Sequence, residues 1–256
     1  MIQPKLTGRL GNFLFQVATA YAYSLRHNME YNIPDFGNGV DPGTIRKYLN
    51  WFPNINSNGT IKPPFFHWNE PDHGYTPIPY HENIFIQDYF QSEKYFKDFR
   101  KEVLAMFNVK RLMINPYADY VSIHVRRGDY VKFHTSFPPI DHRYLRPAIA
   151  IMLKNGFNKF LVFGDDLVWN RANVNTEKFP TCEFKYCNGN EFEDLTLMSN
   201  CRHHIIANSS FSWWGAWLNP SEDKLVVSPS KSNWFGPRMP AKRDDIIPDS
   251  WIQITY

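Results

Sequence analysis

Four short apolar runs in the second half of the chain, Tyr120 to Val125, Lys159 to Phe163, Ile205 to Ala207 and Leu225 to Val227, alternate with segments of helical spacing. Short apolar runs of this kind are strands buried on both faces, and their alternation with helices is the pattern of a doubly wound parallel sheet. The intervening signals agree with that reading. Asp141 is placed to cap a helix through Met152 and Leu153 that Gly156 stops, Glu193 and Asp194 open a helix through Met198, and Ser209 or Ser210 starts another through Leu218.

The first half carries a weaker version of the same pattern. Met1 to Leu6 reads as a strand, Thr7 to Asn12 as a glycine turn, and Phe13 to Arg26 as a helix with Phe13, Val17, Ala20, Tyr21 and Ser24 on one face. From Pro34 to Pro79 the chain is rich in Pro, Gly and Asn with poor periodicity, which predicts a loop-heavy region ordered by its rings. Ile84 to Ile86 is a short strand, and Ser92 caps a helix carrying Tyr95, Phe96, Phe99, Val103 and Phe107. A chain of 256 residues can bury two small cores, so the expectation is an N-terminal half over 1–115 and a C-terminal half over 116–256.

Composition narrows the functional classes. Twenty-eight Lys and Arg against 25 Asp and Glu leave a net charge of +3 with no basic run, too little for a nucleic-acid footprint and better suited to a small phosphorylated ligand. No stretch approaches the roughly 20 apolar residues of a transmembrane helix, and the opening Met1-Ile2-Gln3-Pro4-Lys5 is not a secretory signal. Cys182, Cys187 and Cys201 therefore read as reduced, buried thiols. Aromatic residues reach 17% and cluster at Phe65 to Trp68 and Trp213 to Trp217; such rings suit sugar faces, but packing is their commoner use.

Chemistry concentrates at strand ends, where ligands bind in open α/β sheets. After the strand ending at Val125 stand Arg126, Arg127, Gly128 and Asp129, with His124 just before. A guanidinium matches phosphate oxygens and keeps its charge, so Arg126 is a candidate to hold a diphosphate as a leaving group develops charge; a bridge between domains or a solvated turn is the alternative. Asn208, Ser209, Ser210, Phe211 and Ser212 turn a strand into an aromatic helix, whose free first-turn amides would make a phosphate cradle, with plain capping as the alternative. Asp194 is placed to read a base or ribose edge, or simply to favour the helix dipole. Asp165 and Asp166 are adjacent carboxylates, yet the chain has no Asp-x-Asp, which disfavours a metal-dependent sugar transferase.

These blocks are where the chain resembles a known family. Gly8 to Asn12 with Phe15 and Gln16, His124 to Tyr130, Phe163 to Asp166 with Trp169, and Asp194 to Asn219 together resemble the bacterial α-1,2-fucosyltransferases of glycosyltransferase family 11. The resemblance implies an α/β, GT-B-like fold of two Rossmann-like halves facing a cleft, with GDP-fucose as donor, inversion at the sugar carbon, no required metal or other cofactor, and a galactose-containing oligosaccharide or lipid-linked glycan as acceptor. It implies that Arg126 meets the diphosphate, that His124 and Asp194 lie near the guanine, that Ser210, Phe211 and Ser212 form the phosphate-side helix start, and that Arg9 and Asn12 face the fucose. Asp129 and His134, which follow the strand-end arginines, are the candidates for a base that takes the acceptor proton, with another residue or no dedicated base as the alternative. The chain departs from the family at Phe13, commonly Gln, at Gly164, commonly Ser, and over Val131 to Ser136. Work in the cytoplasm, or at the periphery of an inner membrane, is the expected setting. A fucosyltransferase of another linkage, a nucleotide-sugar hydrolase and a glycan-binding module without activity are the rival readings.

Overall fold

A computed structural model describes residues 1–37, 39–57, 65–72, 74–109, 115–239 and 244–256. Its contacts divide the chain into two units, Met1–Val109 with Ala241–Pro248, and Lys110–Pro240 with Asp249–Tyr256.

The first unit is built on a parallel sheet of β1 (Ile2–Pro4), β2 (Phe66–Asn69) and β3 (Ile84–Gln87) in the order β1-β3-β2, with Ile2 and Phe66 both in register with Ile84. Between β1 and the long helix α1 (Leu10–Arg26) the chain turns at Gly8, whose φ of +80° is in the left-handed region that favours glycine. This tight turn lets α1 begin at Leu10, three residues before the expected start. Thirteen of its 17 residues are buried, so α1 is a core helix rather than a half-solvated one.

The expected loop from Pro34 to Pro79 contains two regular elements among its described residues. Helix α2 (Pro42–Trp51) starts where the Asp41 carboxylate accepts the Thr44 amide at 2.9 Å and Pro42 occupies the first turn; Ile45 and Tyr48 are its buried side chains. Tyr48 sets its ring 5.3 Å from that of Phe13, so the residue that departs from the family is a packing partner of α2. Strand β2 is the other element; 38, 58–64 and 73 lie outside the described residues. The single helix expected after Ser92 is broken into 3₁₀ turns at Glu93–Tyr95 and Lys97–Phe99 and a helix α3 (Arg100–Phe107). Consecutive residues lie about 100° apart on a helix, yet Tyr95 and Phe96 are both buried, and the break at Phe96 (φ −140°) lets both rings enter the core.

The second unit is a six-stranded, wholly parallel sheet. Its strands are β4 (Val121–Val125), β5 (Lys159–Gly164), β6 (Glu183–Tyr186), β7 (His203–Ile205), β8 (Val226–Pro229) and β9 (Ile252–Ile254), in the order β6-β5-β4-β7-β8-β9. Counted from β4, that is the 3-2-1-4-5-6 order of the Rossmann fold. The helices are α4 (Gly128–Lys132), α5 (His142–Lys154), α6 (Leu167–Asn173), α7 (Glu191–Asn200), α8 (Ser210–Trp217) and α9 (Lys231–Trp234). Val121, Ile123, Val125, Phe160 and Val162 of the central strands pack with Tyr144, Ala148, Ile149 and Met152 of α5; each of the Val, Ile, Phe and Met side chains contributes about 1.5–3 kcal/mol when fully buried. The Tyr144 hydroxyl donates between the carbonyl oxygens of Ile206 (2.7 Å) and Val227 (2.9 Å), which ties α5 to the carboxyl end of β7 and to β8.

The two aromatic clusters take opposite roles. Trp213, Trp214 and Trp217 are core residues, with Trp213 and Trp217 stacked at 6.0 Å. Phe66, by contrast, is 44% exposed on β2 and lies flat against His81. All three cysteines are free thiols, and burial pushes each above its ordinary pKa. Among the described residues no helix is long and apolar enough to cross a membrane.

Candidate functional site

In the second unit the strand order reverses between β4 and β7, and a crevice at the carboxyl ends of those two strands is the default ligand position of a doubly wound sheet. Strand β4 delivers His124, Arg126 and Asp129 to that end, and β7 leads through Ile206, Ala207 and Asn208 into α8. The two segments touch: the Tyr130 hydroxyl donates to the Asn208 carbonyl at 3.1 Å, and the His124 and Phe211 rings lie 5.4 Å apart. A depression of about 420 Å³ between Asp119, Phe157, Lys159 and Arg202 lies at the amino ends of β4 and β5, the opposite edge of the sheet.

Arg126 is held on two sides. Its Nη1 is 2.7 Å from Asp165 Oδ2 and its Nη2 is 2.5 Å from Asp129 Oδ1, while the guanidinium lies over the Tyr130 ring. The other Asp165 oxygen accepts the amides of Arg127 (2.8 Å) and Gly128 (3.1 Å), so one carboxylate at the end of β5 fixes both the side chain and the turn that follow β4. Arg127 points elsewhere, stacking 4.2 Å from the centre of Trp169 with Asp166 at 3.5 Å. The adjacent carboxylates at 165 and 166 thus face arginines, and among the described residues no three His, Cys, Asp or Glu side chains converge as metal ligands. Sequence reasoning missed Asp165 as the partner of Arg126. Gly164 has no room for a side chain, because a Cβ would lie 2.3 Å from the Val125 carbonyl oxygen.

His124 is buried beside this group, and desolvation lowers its pKa to about 4, with Asp165 opposing and Arg126 reinforcing the shift. The imidazole is therefore neutral at physiological pH. Its Nδ1 is buried and has no hydrogen-bond partner among the described residues. A buried, unpaired ring nitrogen at a ligand crevice is poised to accept from or donate to a heterocyclic base.

At the start of α8, Ser209 is the N-cap residue, but its side chain makes no capping hydrogen bond, which leaves the first-turn amides for an anion. Two expected phosphate-side groups are otherwise employed. The Ser212 hydroxyl accepts the Ala207 amide at 3.0 Å and donates to the Ala207 carbonyl at 3.1 Å, so it closes the strand-to-helix turn instead of facing a phosphate. The Asn208 side-chain amide donates to the carbonyls of Pro138 (3.0 Å) and Trp234 (2.9 Å), bracing two neighbouring segments. Ser210 and Phe211 are partly exposed at the helix start.

Asp194 sits in the first turn of α7 without being its cap, because Asn190 and Glu193 form a capping box there. Burial raises its carboxyl to about pKa 6 while the Gly189 amide, at 3.3 Å, pulls the other way. No hydrogen bond or ion pair joins Asp194 to His124 or Arg126 among the described residues. His134 is exposed on the turn after α4, whereas Asp129 is engaged by Arg126. In the first unit, Arg9 is the exposed residue preceding α1, and Asn12 in its first turn accepts the Gln91 side-chain amide at 2.8 Å.

An Escherichia coli O-antigen biosynthesis glycosyltransferase, WbnK, is 34% identical over 191 residues, spanning 65% of this chain and 59% of its own length. An E. coli α-1,2-colitosyltransferase is 29% identical with 99% of both chains covered, and rabbit (Oryctolagus cuniculus) galactoside α-(1,2)-fucosyltransferase 2 is 23% identical over 97% of this chain and 75% of its own. Among solved structures, the fucosyltransferase NodZ from Bradyrhizobium superposes with a TM-score of 0.51 at 14% identity, covering 91% of this chain and 95% of that one, which supports the α/β, GT-B-like class. The family model of glycosyl transferase family 11 matches residues 44–255, and the chain belongs to that family of glycosyltransferases.

Proposed function

We propose that this glycosyltransferase moves L-fucose from GDP-fucose to the 2-hydroxyl of a galactose-type acceptor with inversion. The observation that carries the donor assignment is the meeting, at the reversal of the Rossmann strand order, of a neutral buried His124, a carboxylate-held Arg126 and the uncapped start of α8. The second unit is the donor half in this reading, and the first is the acceptor half, with Arg9 and Asn12 contributing to the sugar site.

The acceptor oxygen forms its bond to the anomeric carbon as the bond from that carbon to the diphosphate oxygen breaks. Negative charge then gathers on the departing GDP, where the Arg126 guanidinium and the first α8 amides offset it. His124 and Asp194 serve the guanine. The proton leaving the acceptor hydroxyl passes to a carboxylate or imidazole: Asp129 is the stronger candidate, since it pairs with Arg126, and His134 the weaker, since it is exposed on the turn after α4. No metal is assigned a role, and the pairing of Asp165 and Asp166 with arginines supports that choice. Action in the cytoplasm, or peripherally at an inner membrane, on a free or lipid-linked glycan fits this reading.

A second donor is favoured by one observation. The relative that covers 99% of this chain is a colitosyltransferase, and colitose is fucose lacking its 3-hydroxyl. Purified protein incubated in excess chelator with GDP-fucose or GDP-colitose and a panel of β-galactosides distinguishes the cases. A fucosylated product with a 1→2 linkage by NMR supports the proposal, and a preference for GDP-colitose replaces the donor. Another linkage corrects the acceptor position, GDP release that ignores the glycans points to hydrolysis, and glycan binding without GDP affinity defeats the proposal.

A further inference from the structure

The carboxyl end of the first unit's sheet holds a network that the catalytic scheme leaves unused. After β3 the chain runs Asp88-Tyr89-Phe90-Gln91, and two of these residues have positive φ without being glycine: Asp88 at +116° and Phe90 at +52°. Such a backbone persists only where its surroundings over-determine it, and it clusters at functional sites. The surroundings are on hand. Glu70, directly after β2 and 5% exposed, accepts the Phe90 amide at 2.9 Å and the Tyr95 hydroxyl at 2.8 Å. Gln16 of α1 donates to the Asp88 carbonyl at 3.0 Å while its own carbonyl accepts the Thr7 amide at 3.1 Å. Loops that follow three neighbouring parallel strands are thereby joined through buried side chains.

The product of this bracing is the placement of Gln91. Its Nε2 donates to Asn12 Oδ1 at 2.8 Å. In the structure Gln91 presents its Nε2 to Asn12 and leaves its Oε1 buried without a partner among the described residues, so the Asn12 oxygen is the acceptor of the pair. Asn12 Nδ2 is therefore turned to the opposite side, towards Gly8, where a Cβ would lie 2.3 Å from it. Among the described residues that nitrogen has no acceptor, so its N–H groups are available to a hydroxyl at the turn between β1 and α1.

We propose that Gln91 is a positioning residue for sugar transfer: it orients the Asn12 amide as a hydrogen-bond donor at the start of α1, from a left-handed loop that Glu70 locks in place. This rests on the reading that the turn from Gly8 to Asn12 meets the transferred sugar. Gln91 acts through Asn12, and its removal is felt in transfer and not in nucleotide binding, which belongs to the other unit.

A double-mutant cycle with Gln91→Ala and Asn12→Ala tests this, with GDP affinity measured on every variant. Gln91→Ala lowers kcat/KM for fucosyl transfer on the order of tenfold, the scale of one oriented hydrogen bond, with GDP affinity unchanged. The double variant transfers no worse than Asn12→Ala alone. Glu70→Ala reproduces the defect, and Glu70→Gln, whose carbonyl still accepts the Phe90 amide, restores most of the rate. Multiplying losses in the cycle, or a fall in GDP affinity in step with transfer, overturns the positioning role while leaving fucosyl transfer intact. Full transfer by Asn12→Ala removes both the role and the sugar-facing turn, and an unsubstituted chain that transfers no fucose defeats the underlying reading as well.

Discussion

Asp165→Asn isolates the contact that holds Arg126. The substitution keeps an oxygen for the Arg127 and Gly128 amides, now at 2.8 and 3.1 Å, but turns an NH2 group towards Arg126 Nη1, where an oxygen stands at 2.7 Å. A hydrogen bond between charged groups contributes about 1.5–3 kcal/mol, and the partial exposure of both side chains, 19% and 28%, argues for the lower part of that range. Asp129 still holds Nη2, so Arg126 keeps its charge and one of its anchors. If the lost energy appears in the transition state, kcat falls by roughly tenfold to thirtyfold. GDP release coupled to product formation reads the rate, and a thermal melt reads any loss of stability. Asp165→Ala also abandons the two amides and must be worse on both counts. A variant Asp165→Asn with unaltered kcat and melting temperature would refute the idea that Asp165 sets the position of Arg126.

Arg126→Ala removes the charge that offsets the leaving diphosphate and lowers turnover by about 10²-fold or more; a folded variant of near-normal rate takes Arg126 out of the mechanism. Glu70 gives a pH signature, because burial raises its carboxyl from 4.5 to about 8, with Asp88 and Asp72 adding to the rise and the Phe90 and Tyr95 donors opposing it. The folded pKa exceeds the unfolded one, so this group's contribution to stability is complete below about pH 4.5 and is lost as pH rises through about 8. The melting temperature of the unsubstituted chain therefore drops between pH 5 and 8.5 by more than that of Glu70→Gln, and equal slopes would remove Glu70 as the cause.

The legible parts of the fold are those whose signal is local. Strand β4 reads as Val-Ser-Ile-His-Val because it is buried on both faces, and α5 announces itself through the Asp141 cap. Strands β6 and β9 have no fully buried residue and present no apolar run, so they escape a reading by hydrophobicity. Helix α2 hides in a Pro- and Gly-rich stretch, where only Asp41, Pro42 and Thr44 mark its start. For the site, the arginine block and the serine-rich helix start stand out because each is contiguous. Asp165 lies 37–39 residues beyond the groups it anchors and reaches them only because Val125 and Gly164 are paired in adjacent strands. The commitments of Ser212 and Asn208 to backbone partners are equally invisible, since residue type does not reveal which neighbour a hydroxyl or an amide has already found.

The central claim is that the nucleotide occupies the carboxyl ends of β4 and β7, and hydrogen exchange with and without saturating GDP tests it most directly. The account predicts slowed exchange in peptides covering 122–130 and 206–213, and unchanged exchange in the depression at Asp119, Phe157, Lys159 and Arg202. Protection at that opposite edge, or none at the start of α8, would contradict it.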